Sequence, residues 1–276
     1  MAAVSPAQAG PAAAFRPLTA RACHAVTTSL WLLVLGVALL IPSYPQPASY
    51  HLFADARTCL GVPNFANVVS NVAFLLVGAL GLAFILGPHG ARAVGPRGRW
   101  PYAVLFVGAV LTALGSAYYH WDPSDETLVW DRAGMAVAFC ALVPAMLSDR
   151  TDVRAVHVSL VALVTLGIGT LVYWRVSEAL GFEDVAPYLV LQAAALAYVV
   201  GISVLRSRFT RRADMFVAFL LYAAALAAQA LDEPIFLLAG KVISGHTLKH
   251  LLAALAIFWV LRMLVRRRPV LEERNV

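Results

Sequence analysis

Charge is scarce in this 276-residue chain: 13% of its residues are Asp, Glu, Lys or Arg, whereas 61% are hydrophobic and the mean hydropathy is +0.77. A soluble domain covers its surface with about a quarter charged residues, so a soluble globular fold is excluded and the chain reads as a membrane protein. Cysteine is nearly absent too. Cys23, Cys59 and Cys140 are too few and too scattered for a disulfide framework or a thiolate metal site. Cys140 falls inside an apolar run, where it reads as a small buried residue. No connection between apolar runs is long enough to hold a further domain, and no sequence repeat is discernible. The formal net charge of +6 comes without any nucleic-acid-binding signature, and no obligate protein partner is indicated.

What the chain has in abundance is apolar runs of membrane-spanning size, eight of them, at 26–41, 65–86, 101–120, 129–147, 155–174, 187–205, 213–231 and 245–264. The first is short, and extends backward through Arg21 if that arginine snorkels. The expected fold class is therefore all-α, a polytopic transmembrane bundle. Residues 1–25, rich in Ala and Pro, form an expected mobile lead. Residues 42–64 form an expected non-cytoplasmic loop in which "HLFADARTCLG" reads as a short interfacial helix, and 265–276 an expected basic cytoplasmic tail.

The loops after the second, fourth and sixth runs carry Arg92, Arg97 and Arg99; Arg150 and Arg154; and Arg206, Arg208, Arg211 and Arg212. The opposite side collects Asp122, Asp125, Glu126, Glu178, Glu183, Asp184, Asp232 and Glu233. Positive-inside bias then places both termini in the cytoplasm. A bacterial inner membrane is the expected location, a point on which that bias itself is silent.

Polar groups inside the runs must be satisfied within the bundle or in a wet cavity, so they are the informative ones. Ser116 and His120 lie four residues apart, on one helix face and about 6 Å apart along the axis. Asp131 opens the next run, and His246 and His250 open the last, again at i and i+4. The alternating topology lets all five groups occupy one depth, at the non-cytoplasmic end. Three imidazoles suit a zinc ion with a fourth position left for water, Asp131 suits a proton acceptor, and Ser116 suits a donor to a developing oxyanion. Each part also has a plain structural reading: histidines bonded to backbone or lipid phosphate, a serine packed between helices, and an aspartate paired with the adjacent Arg132. Sequence gives His24, His51, His89 and His157 no ligand partners, and Met135, Trp121, Trp130 and Trp174 read as packing or interface residues.

Four segments resemble, in order, those of the membrane hydrolase superfamily that contains alkaline ceramidases, adiponectin/progestin-type receptors and Per1-like proteins, and alkaline ceramidases most closely. They are "NVVSN" (67–71), "GSAYYH" (115–120), "WDRAGM" (130–135) and "GHTLKH" (245–250). The resemblance, over roughly 55–264, implies a seven-helix zinc hydrolase core at 65–264 preceded by one extra helix at 26–41. It implies zinc on His120, His246 and His250, with Ser116 and Asp131 catalytic. Eukaryotic alkaline ceramidases also carry an acidic calcium-binding segment before the first core helix. Here Asp55 is an acidic candidate, but Asn64 stands where that pattern has a glutamate, so a full calcium site is not expected. The implied activity is hydrolysis of a membrane lipid amide, ceramide or a similar N-acyl lipid, to a fatty acid and a sphingoid base. Hydrolysis of another acyl lipid, or a zinc-stabilised receptor without turnover, are the alternatives; the absence of inverted repeats disfavours a transporter.

Overall fold

The computed structural model describes residues 18–151 and 154–270. In chain order its helices are α1 (Ala20–Leu40), α2 (Phe65–Ser70), α3 (Val72–Leu86), α4 (Pro88–Trp121), α5 (Asp125–Ser148), α6 (Ala155–Ala179), α7 (Ala186–Val204), α8 (Asp214–Ala230), α9 (Asp232–Leu238) and α10 (Gly245–Arg266). There is no strand among the described residues, and seven spans, counting α2 and α3 as one, are long and apolar enough to cross a membrane. The eighth expected span is α8, which turns through 85° into the short α9.

Local chemistry sets where these helices start and break. Thr19 caps α1 by accepting from the Ala22 amide, so the first helix does run back through Arg21 to Ala20. Residues 18–25 are thus part of the fold rather than a mobile lead. Residues 1–17 of that expected segment, and 271–276 of the expected basic tail, lie outside the described residues. Between α2 and α3 the side chains of Ser70 and Asn71 both bond to the Asn67 carbonyl, and they compete with the helix ladder there. In α4 the helix bends at Gly95, whose φ of 66° suits glycine.

Helices α4 and α5 form the closest pair, and glycine lets their backbones meet. A Cβ on Gly115 would lie 2.1 Å from the Trp130 carbonyl oxygen, one on Gly134 2.2 Å from the Thr112 nitrogen, and one on Gly108 2.6 Å from the Ala138 nitrogen. Within a bilayer there is no hydrophobic force between helices, so close van der Waals packing at such small residues holds them together. The same contacts fix an antiparallel register in which the backbone of Asp131 lies beside Gly115 and Ser116.

The two ends of the bundle differ in charge. At one end Arg267 donates to Asp149 at 2.7 Å, Tyr102 donates to the same carboxylate at 3.0 Å, and Arg267 also reaches the Ala93 carbonyl. Arg150, buried beside them, donates to the Met146 carbonyl, and the Leu18 amide donates to the Arg150 carbonyl. This ties the chain entering α1, the α5–α6 connection and the end of α10 into one hub. At the other end, carboxylates of Asp125, Glu183, Asp184 and Asp232 hold the connection between α1 and α2.

In that connection the helix expected over 51–61 does not form. A single 3₁₀ turn, Ala48–His51, is followed by extended chain, and Leu60 and Gly61 take positive φ inside a tight turn bridged between Cys59 and Val62. The expected interfacial helix fails because Asp55 grips Arg57 two residues on, through the amide and both ends of the guanidinium. A side chain that bonds its own downstream backbone favours a turn.

Candidate metal centre

Two helices carry the three imidazoles to one point. His120 sits in the last turn of α4, and His246 and His250 lie one turn apart at the start of α10. The α10 start is fixed by Ser244, whose hydroxyl accepts from the Thr247 amide at 3.1 Å, and by Asp232, which accepts from the His246 amide at 2.7 Å. Thr247 also donates to the Asn67 side chain at 2.7 Å, binding α10 to α2.

The Nε2 atom of His120 lies 3.3 Å from Nε2 of His246 and 3.3 Å from Nε2 of His250. One ligand atom from each of the three rings falls within 4.8 Å of the others, and all three residues are buried. Zinc bonds to histidine nitrogen at about 2.0–2.1 Å, and the edge of a tetrahedron of that size is about 3.3–3.4 Å. Two of the three separations therefore match a tetrahedral edge, and the three buried nitrogens together suit a divalent metal ion.

Neither the known protein families nor the curated proteins yield a match to this chain.

Around the triad, Ser70 on α2 stands 2.8 Å from Nδ1 of His250, which fixes that ring and leaves Nε2 facing the centre. Nδ1 of His120 is buried and without a partner among the described residues. Lys249 places its ammonium 3.0 Å from Nε2 of His246, on the atom that an ion would use. Phe53, from the α1–α2 connection, lies edge-on to the rings of both His120 and His246, with centroids 4.7 and 4.9 Å away.

Ser116 and Asp131 are both buried, and neither hydrogen-bonds to the three imidazoles among the described residues. The α4–α5 register puts them level with each other and about one turn inward of His120. The five groups thus occupy two levels, with the imidazoles outermost. Arg132 does not pair with Asp131: it donates to the Gln46 side chain at 2.5 Å and lies over the faces of Trp174, Tyr50 and Tyr188. Among the described residues, the Asp131 carboxylate is left free of ion pairs.

The calcium candidate does not assemble. The hydrogen bond and charge of the Arg57 guanidinium beside Asp55 hold its carboxyl below the usual carboxylate range, and that guanidinium covers both oxygens where a cation would bind. Asn64 instead donates to the His120 carbonyl at 2.9 Å. These residues do not fit a calcium ion, which needs several free oxygen ligands.

Sequence reasoning missed Phe53, Asp232 and His51 as parts of this site. His51 is not one of the three ligand candidates, as expected, but it contacts the Tyr119 hydroxyl at 3.0 Å and Asp125 at 3.2 Å. These contacts join segments far apart in the chain, and no spacing pattern signals them.

Proposed function

We propose that the protein is a zinc-dependent hydrolase of membrane lipid amides, with ceramide or a ceramide-like N-acyl lipid as its substrate. The observation that carries this reading is the buried triad of histidines, with His120 Nε2 3.3 Å from the Nε2 of each of the other two, and an unpaired carboxylate and a hydroxyl one turn further in. Its resemblance to the alkaline ceramidase segments supplies the reaction class.

An apolar cavity of about 110 Å³ supports a lipid substrate. Its lining begins one turn past each polar group, at Thr112 below Ser116, Met135 below Asp131 and Ala253 below His250. It continues to Leu105, Leu142 and Val260, which on each helix is seven residues or about 10 Å deeper. An acyl chain lying there brings its carbonyl to the level of Ser116 and Asp131.

His120, His246 and His250 would hold the zinc, which when bound would supply Lewis-acid activation of water and of the carbonyl. Asp131 takes the proton from the attacking water and delivers it to the departing amine nitrogen. Ser116 donates its hydroxyl to the carbonyl oxygen as negative charge gathers there. One water is consumed, the C–N bond breaks, and a fatty acid and an amine result.

The test is a panel of long-chain N-acyl and O-acyl lipids offered to zinc-loaded protein in nanodiscs, with released fatty acid measured by mass spectrometry. Release from the amides supports the proposal. Release from esters alone moves the protein to another acyl-lipid substrate, and no release from either rejects turnover in favour of a zinc-stabilised receptor.

A further inference from the structure

The connection between α1 and α2 closes over the histidine end of the bundle, and its anchors come from four separate elements. The Tyr44 amide donates to Asp184 at 3.1 Å and the Gln46 amide to Glu183 at 3.0 Å, both in the α6–α7 connection. His51 bridges Asp125, in the first turn of α5, and Tyr119, in the last turn of α4. The Ala54 amide donates to Asp232 of α9 at 2.9 Å. Asp232 uses its other oxygen on the His246 amide, so one carboxylate joins the connection to the triad's own helix.

Two of these anchors flank Phe53. Its ring packs edge-on against His120, His246 and Tyr119 from the α1–α2 connection and is itself half-buried. The histidines below it are nearly inaccessible, at 0%, 4% and 3% relative exposure for His120, His246 and His250. On the inward side the apolar cavity stops one turn short of the histidines, and Phe74, which lines it, lies edge-on to the His250 ring at 6.2 Å between centroids.

We propose that residues 44–57 are a latched lid and that Phe53 is its plug, so that the triad is shut to water-soluble ligands of any size above water and is reached by lipid through the apolar cavity. Phe53 is then a specificity-determining residue: it rejects short-chain, water-borne amides that share the scissile bond. The closure stands on geometry alone, whereas its consequence for substrate choice rests on the hydrolase reading above.

The closure is tested without metal or substrate. Metal-free wild type, Phe53→Ala and Phe53→Leu in nanodiscs are treated with diethyl pyrocarbonate, which modifies accessible imidazoles, and each histidine is followed by peptide mass spectrometry. The lid predicts modification of His120 and His246 about tenfold or more faster in Phe53→Ala, since removing a plug frees a local opening. It also predicts near wild-type rates in Phe53→Leu, and no change at His24, His89 or His250. Equal rates at His120 and His246 in wild type and Phe53→Ala would overturn the lid, as would a rise that includes His250, because that reports general loosening. With the zinc-loaded protein, Phe53→Ala should raise the rate on a short-chain amide relative to a long-chain one at least several-fold. An unchanged ratio, with the labelling result intact, would leave the lid and remove its role in specificity. Absence of any amide turnover in wild type would instead count against the hydrolase reading alone.

Discussion

At the scale of single residues, the role proposed for Asp131 is the most directly testable. It is buried, and its neighbour Arg132 is held elsewhere by Gln46 and three aromatic faces. Asp131→Asn keeps the shape and removes the proton acceptor, so turnover should fall about 10²-fold or more while zinc content stays at the wild-type level. Parallel zinc analysis and fatty-acid release check this; equal loss of zinc and activity would mean that Asp131 serves the metal site instead. Lys249 acts in the opposite sense, because its ammonium sits 3.0 Å from a nitrogen that a cation would occupy. Lys249→Met removes a repulsion of about 1 kcal/mol or more, and zinc binding should tighten roughly fivefold in a competition titration. The histidines, Ser116 and Asp131 were legible in sequence because helical spacing and topology alone bring them to one end. Phe53 and Asp232 were not, since an aromatic in a loop and an aspartate at a helix start carry no periodic signal.

At the scale of elements, the position of Ser116 and Asp131, the proposed catalytic groups, depends on how closely α4 and α5 approach. Gly115 touches the backbone of Trp130, so this contact sets the level of Ser116 against Asp131. Gly115→Ala forces a methyl against a rigid carbonyl and should cost about 1–3 kcal/mol, with turnover lost before the fold is. Thermal unfolding in detergent together with activity checks it, and an unchanged protein by both measures would contradict this α4–α5 register. The spans themselves were readable from apolar runs. Their breaks were less so: the Ser70–Asn71 interruption and the Gly95 bend arise from side-chain competition and a single φ angle, which hydropathy averages away. The helix expected at 51–61 was lost to the Asp55–Arg57 pairing, an interaction between near neighbours that apolar patterning cannot register.

At the scale of the whole molecule, the bundle has an arginine-rich hub at one end and a carboxylate-anchored lid at the other, and positive-inside bias would set the hub in the cytoplasm. Single cysteines replacing Ser124 and Arg208 in a Cys59→Ser background should then react with an impermeant thiol reagent from opposite faces of a sealed vesicle. Labelling of both from one face would overturn that orientation. The charge asymmetry that predicts it was plain in the sequence, but the hub's buried Arg267–Asp149 pair, 118 residues apart, was not. The proposed hydrolysis requires that the triad hold zinc. Wild-type protein and the H246A/H250A double variant, purified alike in detergent, would be assayed for zinc content and for fatty-acid release from a panel of ceramides. One zinc per chain with release in the wild type, and loss of both in a variant that remains folded, is the predicted result. Wild type that takes up no zinc under metal-replete conditions would contradict it.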